Sequence, residues 1–323
     1  MNLLNIEQHR YELRYKNSSK VRKGALLRFH FEPDIFGYSD CHVWEELGDL
    51  SLDQHLELLK DNILTEITSP ALFFAKVDAR ARKEKIGLFS DINFPISHFV
   101  VAEPLNFTIK DFERVVEEGF SHIKIKIGRN LDLEVPQMKV LLENSRLLNV
   151  KLRIDCNESL HRTQFKKLLK EFSPWALHID FWEDPYPFHP IEWAEDQKEY
   201  AIDLACDREF FYAIGNPDAA KVLVIKPAIQ FDQKSLDNNK NQRLVITTYL
   251  GHPLGQAANA CASLFLAHSH KVNIDVCGFL SHRVYERNEF SEQLPWEGPK
   301  WKSPPGTGFG FDQQLQSLKW DPL

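Results

Sequence analysis

The feature that most constrains this chain is a rhythm that begins near residue 95. Short apolar runs alternate with longer segments, most of which read as helices. The runs are FPISHFVV, HIKIKIG, VKLRIDCN, ALHIDFWEDP, AIDLACDRE, VLVIKPA, RLVITTYLG and VNIDVCGF, eight in all. In one intervening segment Ile109, Phe112, Val115, Val116 and Phe120 recur at helical spacing. Another, GQAANACASLFLAHS, is small and apolar, as a closely packed helix requires. Strand-helix repeats call for a parallel sheet, and eight of them suggest closure into a barrel. An open doubly wound sheet is the alternative. The expected class is therefore α/β, a (β/α) barrel of the TIM type. A chain of 323 residues has room for such a barrel and one smaller domain.

The first 94 residues follow a different pattern. Strands are expected at Leu4–Tyr15 and Ala25–Glu32, a turn near Gly37, and helices at Ser51–Leu64 and Ser69–Lys85. This predicts an α+β capping domain over 1–94, joined by the Trp-, Pro- and Gly-rich tail 286–323, with the barrel over 95–285. A net charge of −7 without a basic block argues against nucleic acid as a partner. The N-terminus lacks the continuous apolar stretch of a signal peptide, and no run approaches a membrane span. The five cysteines are scattered, with no CxxC pair, and read as reduced thiols. A cytoplasmic enzyme is the expectation.

The chemistry lies at the strand ends. In HIKIKIG the isoleucines Ile123, Ile125 and Ile127 take one face, and Lys124 and Lys126 the other. With the isoleucines against the helices, both lysines point into the barrel, which is costly unless compensated. In VKLRIDCN, Arg153, Asp155 and Asn157 share a face. Glu183 and Asp184 close the next strand, Asp207 the one after, and Lys226 the one after that. Barrel active sites lie at the C-terminal ends of the strands. Carboxylates on adjacent strands can converge on a hard cation, and an all-oxygen set suits Mg²⁺. A Lewis acid beside lysines is what proton abstraction next to a carboxylate needs.

This order of motifs, Lys-x-Lys, Asp-x-Asn, Glu-Asp-Pro, Asp and Ile-Lys-Pro on strands two to six, resembles the enolase superfamily. It is closest to the muconate-lactonizing subgroup, and within it to the o-succinylbenzoate synthases of menaquinone biosynthesis. The resemblance implies that Lys126 is the acid/base and that Lys226 faces it across the substrate as a stabilising cation. It implies Mg²⁺, with Mn²⁺ as a substitute, on Asp155, Glu183 and Asp207. Lys124 would support Lys126, while Arg153 and Asn157 would be substrate-facing or lie just behind the ligands. The implied partner is a small carboxylate substrate, and the implied reaction a syn elimination of water that leaves an aromatic ring.

One stretch departs from the family pattern. Relatives often carry a serine-rich segment with a glutamate after strand seven. Here ITTYLGHPLG offers Thr247 and Thr248 as hydroxyls, while Gly251 and His252 do not match. His252 is retained as a candidate. The polar stretch 17–24, with Arg22, is expected as a lid or as an ordinary hairpin loop. Trp182 reads as core, GTGFG as a tail loop, and His268 and His270 as packing or surface residues. The competing functions are an N-acylamino acid racemase or dipeptide epimerase, which would use the same lysine pair, a lactonizing enzyme, and a non-catalytic binding barrel. The Asp-x-Asp that dipeptide epimerases place on strand eight reads Asp275-Val276-Cys277 here.

Overall fold

The structure is a computed structural model that describes residues 3–16, 18–89, 95–231, 239, 241–270, 274–294 and 296–323, without the side chains of 267–270. His268 and His270, and the starts of the first and eighth strand-like runs, therefore lie outside what is described.

Seven strands form one continuous parallel sheet. They are β4 (Phe99–Val101), β5 (His122–Lys126), β6 (Lys151–Asp155), β7 (Ile179–Glu183), β8 (Leu204–Cys206), β9 (Val222–Ile225) and β10 (Arg243–Ile246), and their spatial order follows their chain order. The eighth segment closes the ring through single bridges. Ile274 and Gly278 pair with Leu244 and Thr247 on one side, and Cys277 pairs with Ser97 on the other. The Asp275 and Gly278 amides donate to the Leu244 and Ile246 carbonyls, and the Cys277 amide to the Ile96 carbonyl. The Val276 carbonyl accepts from Arg153 at 2.6 Å.

The alternation predicted for the second strand holds. Ile123, Ile125 and Ile127 are buried in the large core between sheet and helices, with Phe112, Leu141 and Phe165. Their neighbours face the barrel interior, whose apolar filling is Phe181, Ala205, Val222, Val224 and Val245. Trp182 points outward and packs against Phe165 and Phe172. Helix α3 (Ile109–Glu117) starts at a reciprocal cap between Thr108 and Asp111.

The N-terminal region is an antiparallel sheet of β1 (Asn5–Arg14), β2 (Val21–Glu32) and β3 (Ile35–His42), backed by α1 (Leu52–Lys60) and α2 (Thr68–Lys83). The tail residues Asp321–Pro322 add a short strand beside β1. Two local expectations change. Gly37 lies inside β3, where a Cβ would sit 1.9 Å from the Ala75 carbonyl, so this glycine lets α2 approach the sheet and makes no turn. Residues 21–24 belong to β2, which shortens the expected loop. Among the described residues no helix is long and apolar enough to cross a membrane.

Candidate active site

Parallel pairing brings the predicted residues together. Lys126 is in register with Asp155, and Asp155 with Glu183, so three adjacent strands end level. Asp207 and Lys226 follow β8 and β9 by one residue each. Lys124 Nζ donates to Glu183 Oε1 at 2.6 Å and lies 3.0 Å from Asp155 Oδ2. Lys126 Nζ is 3.4 Å from the same Asp155 oxygen. The Lys126 side chain is 33% exposed, so it is the one lysine of the pair that a ligand in the barrel mouth can reach. Lys226 Nζ holds Asp207 Oδ2, while Asp207 Oδ1 is buried without a partner among the described residues.

Four carboxylates, with Asp184 among them, share this end with three ammonium groups. Burial opposes the charge on Lys124, but Asp155, Glu183 and Asp207 outweigh it and hold its pKa above the ordinary value. Burial also opposes the Asp155 charge, yet Lys124 and Lys126 bring its pKa down to about 2. Glu183 moves the other way, up to about 7, through burial and the neighbouring Asp155 and Asp207 charges, against Lys124. Asp184 is pushed well up by burial and by Asp207 and Glu183. The mouth is thus short of positive charge.

An oxygen-only donor set, an orphaned buried carboxylate oxygen and this shortage of positive charge all fit a divalent cation. As the side chains stand, no three acidic, histidine or cysteine groups among the described residues close around one point. Lys124 lies between Asp155 and Glu183, and Lys226 lies on Asp207.

These motifs sit in a chain whose relatives are recognisable along most of its length. Residues 6–81 match the family described as "O-succinylbenzoate synthase, N-terminal domain", and residues 108–212 match "Enolase C-terminal domain-like". An o-succinylbenzoate synthase of Bdellovibrio bacteriovorus is 30% identical over 314 residues, which is 94% of this chain and 92% of that protein. The chain belongs to the o-succinylbenzoate synthase family of the enolase superfamily. It is an enzyme of the carbon-oxygen lyase class. An L-amino acid-D/L-Glu epimerase of Francisella philomiragia is 29% identical over 204 residues, 61% of this chain and 54% of that one. Among solved structures, a dipeptide epimerase from Methylococcus capsulatus, complexed with Mg and the dipeptide L-Arg-D-Lys, superposes with a TM-score of 0.76 at 14% identity. That likeness covers 96% of this chain and 99% of the other.

Within this synthase-family barrel the remaining predicted residues divide. Thr247 is buried beside the top of β9, its amide on the Ile225 carbonyl and its hydroxyl without a partner among the described residues. Thr248 donates instead to the Ser281 hydroxyl. Asn157 is exposed in a left-handed conformation, and its amide donates to Asp155 Oδ1 at 3.0 Å. Arg153 is fully buried and turned to the opposite end of the barrel. It bonds Asp180 at 2.7 Å and lies 3.3 Å from Asp275 and 3.1 Å from His98. Strand period places Arg153 on the face of Asp155, but it sits two residues, about 6.6 Å, lower, and its long side chain reaches away from the mouth.

His252 lies at the seam between the N-terminal sheet and the barrel. Its amide donates to Asp40 at 2.8 Å, and its ring packs on Tyr11 and Phe290. The departure from the family pattern has a steric reason here. A Cβ on Gly251 or Gly255 would come within 2.5 or 2.4 Å of the Asp40 carboxylate. Two glycines four apart were a legible sign of close approach. Arg22 stacks over Trp44 at 3.6 Å and pairs with Glu46. The GTGFG tail wraps Asp78, which accepts from the Phe309 amide at 2.7 Å.

Proposed function

We propose that this enzyme is an o-succinylbenzoate synthase acting in menaquinone biosynthesis. It removes water from a hydroxylated cyclohexadiene carboxylate that carries a succinyl chain. The observation that carries the reading is Lys126 beside Asp155 and Lys226 on Asp207, at the ends of strands separated by β6 to β8, in a chain related over its length to a synthase.

Asp155, Glu183 and Asp207 would hold Mg²⁺, with Mn²⁺ as a substitute, and the ion would supply Lewis-acid charge at the substrate carboxylate. Lys126 takes the proton from the ring carbon bearing that carboxylate. Lys226 keeps its charge on the opposite face, where negative charge grows. Lys126 then returns the proton to the departing hydroxide, so that water leaves and the ring becomes aromatic. Lys124 stays charged between Asp155 and Glu183 and keeps the mouth ordered. Arg153 is assigned no contact with substrate.

The second reading is a racemase or epimerase, favoured by the epimerase relative. Against it, Asp275 on the eighth segment is bound to Arg243 at 2.8 Å. Purified protein given the cyclohexadiene substrate should yield the aromatic product with Mg²⁺ and stop when the ion is chelated. Exchange of the α-proton of an N-acylamino acid with deuterated solvent, without any dehydration, would replace the synthase reading with the racemase one.

A further inference from the structure

We propose that Asp184 is a positioning residue that joins the three carboxylate-bearing strand ends into one rigid frame. It rests on the reading that Asp155, Glu183 and Asp207 bind a divalent cation.

Asp184 directly follows Glu183 and adopts φ +40°, a left-handed conformation that costs a non-glycine residue about 1 kcal/mol or more. It is buried, and none of the salt bridges among the described residues involves it. Its bonds instead go to the main chain on both sides. One carboxylate oxygen accepts from the Asp207 amide at 3.1 Å, and the other from the Arg208 amide at 3.2 Å. Its own amide donates to the Ala205 carbonyl at 3.0 Å, and its carbonyl accepts from the Glu158 amide at 2.6 Å. One residue thus links the loop after Asp155, the end of β7 and the turn carrying Asp207. A buried acid among three other carboxylates, held in a strained backbone, is a poor choice for stability alone. Its geometry fixes the main chain from which the unpartnered Asp207 oxygen projects.

The test is Mg²⁺ affinity by titration calorimetry on the wild type, Asp184→Asn and Asp184→Gly, with thermal melts of the metal-free proteins. Asp184→Asn keeps the shape but offers an amide NH₂ where two backbone donors need acceptors. Asp184→Gly accepts the positive φ and keeps both backbone bonds while removing the carboxylate, so it decides the matter if the asparagine variant does not fold. The expected result is a wild type that binds Mg²⁺ and folded variants whose affinity falls about ten- to a hundred-fold. Metal-free melting temperatures should fall by only a few degrees, because the Asp207 and Arg208 amides lose their acceptor while a buried charge is removed. Variants that melt much lower but bind Mg²⁺ as the wild type does would make Asp184 a stabilising residue alone and overturn the proposal. A wild type that binds no Mg²⁺ would instead overturn the underlying reading of the site.

Discussion

The barrel has a charge cluster at each end, and the two are built from different residues. At the mouth, three lysines pair with three of four carboxylates, one buried oxygen has no partner among the described residues, and the Lys126 side chain is partly exposed. At the floor, Arg153 and Arg243 meet Asp180 and Asp275, and Arg243 and Lys221 meet Asp203. Asp180 is held by both arginines at 2.7 Å, and Asp275 by Arg243 at 2.8 Å. Phe181 lies between, with the Arg153 guanidinium 4.6 Å from its ring. Arginine keeps its charge and forms fixed forks, whereas lysine is a mobile point charge whose proton can be exchanged. The floor balances Arg153, Arg243 and Lys221 with Asp180, Asp203 and Asp275 and closes the barrel beneath the eighth segment. The mouth is left unbalanced, and that imbalance is what a cation and an anionic substrate can use.

The largest effect should come from the mouth. Lys126→Ala or Lys226→Ala is expected to lower turnover by roughly a hundred- to ten-thousand-fold, with melting temperature little changed. Steady-state kinetics beside a thermal melt checks this, and a merely twofold loss would remove that lysine from the chemistry.

Arg153→Met is expected to act on the fold. It leaves Asp180 and Asp275 to Arg243 alone and should cost about 3 kcal/mol in urea unfolding. A variant as stable as the wild type would break the contrast between the ends.

The smallest effect concerns pH. Burial and the nearby Arg153 hold the His122 pKa down to about 4, from an ordinary 6.5. The unfolded chain then binds the extra proton between pH 6.5 and 4, so stability is lost as pH falls through that window. His122→Gln should make this part of a melting-temperature profile shallower by one histidine's share, since buried His42, His98, His252 and His282 are depressed through the same range. An unchanged slope would place the titration elsewhere.

Much of this was written in the sequence because the mouth is built from local patterns. Lys-x-Lys, Asp-x-Asn and Glu-Asp-Pro each fix a side chain within one strand end, and parallel pairing does the rest. The floor was not legible, because Arg243, Asp180 and Asp275 lie on three strands and meet only when the ring closes. Asp180 joins them through a register shift between β6 and β7, which no periodicity announces. Arg153 was read with the mouth for the same reason, since period two gives a face and says nothing of which way a long side chain turns. Gly37 shows the converse case, a residue that reads as a turn and serves helix packing.

The most direct test of this division sets Lys126→Ala and Arg153→Met side by side in the dehydration assay, with rates expressed per folded molecule. The account predicts a folded Lys126 variant that makes almost no aromatic product, and an Arg153 variant whose folded fraction turns over within a few-fold of the wild type. A Lys126 variant that still dehydrates the substrate, or a folded Arg153 variant that does not, would contradict it.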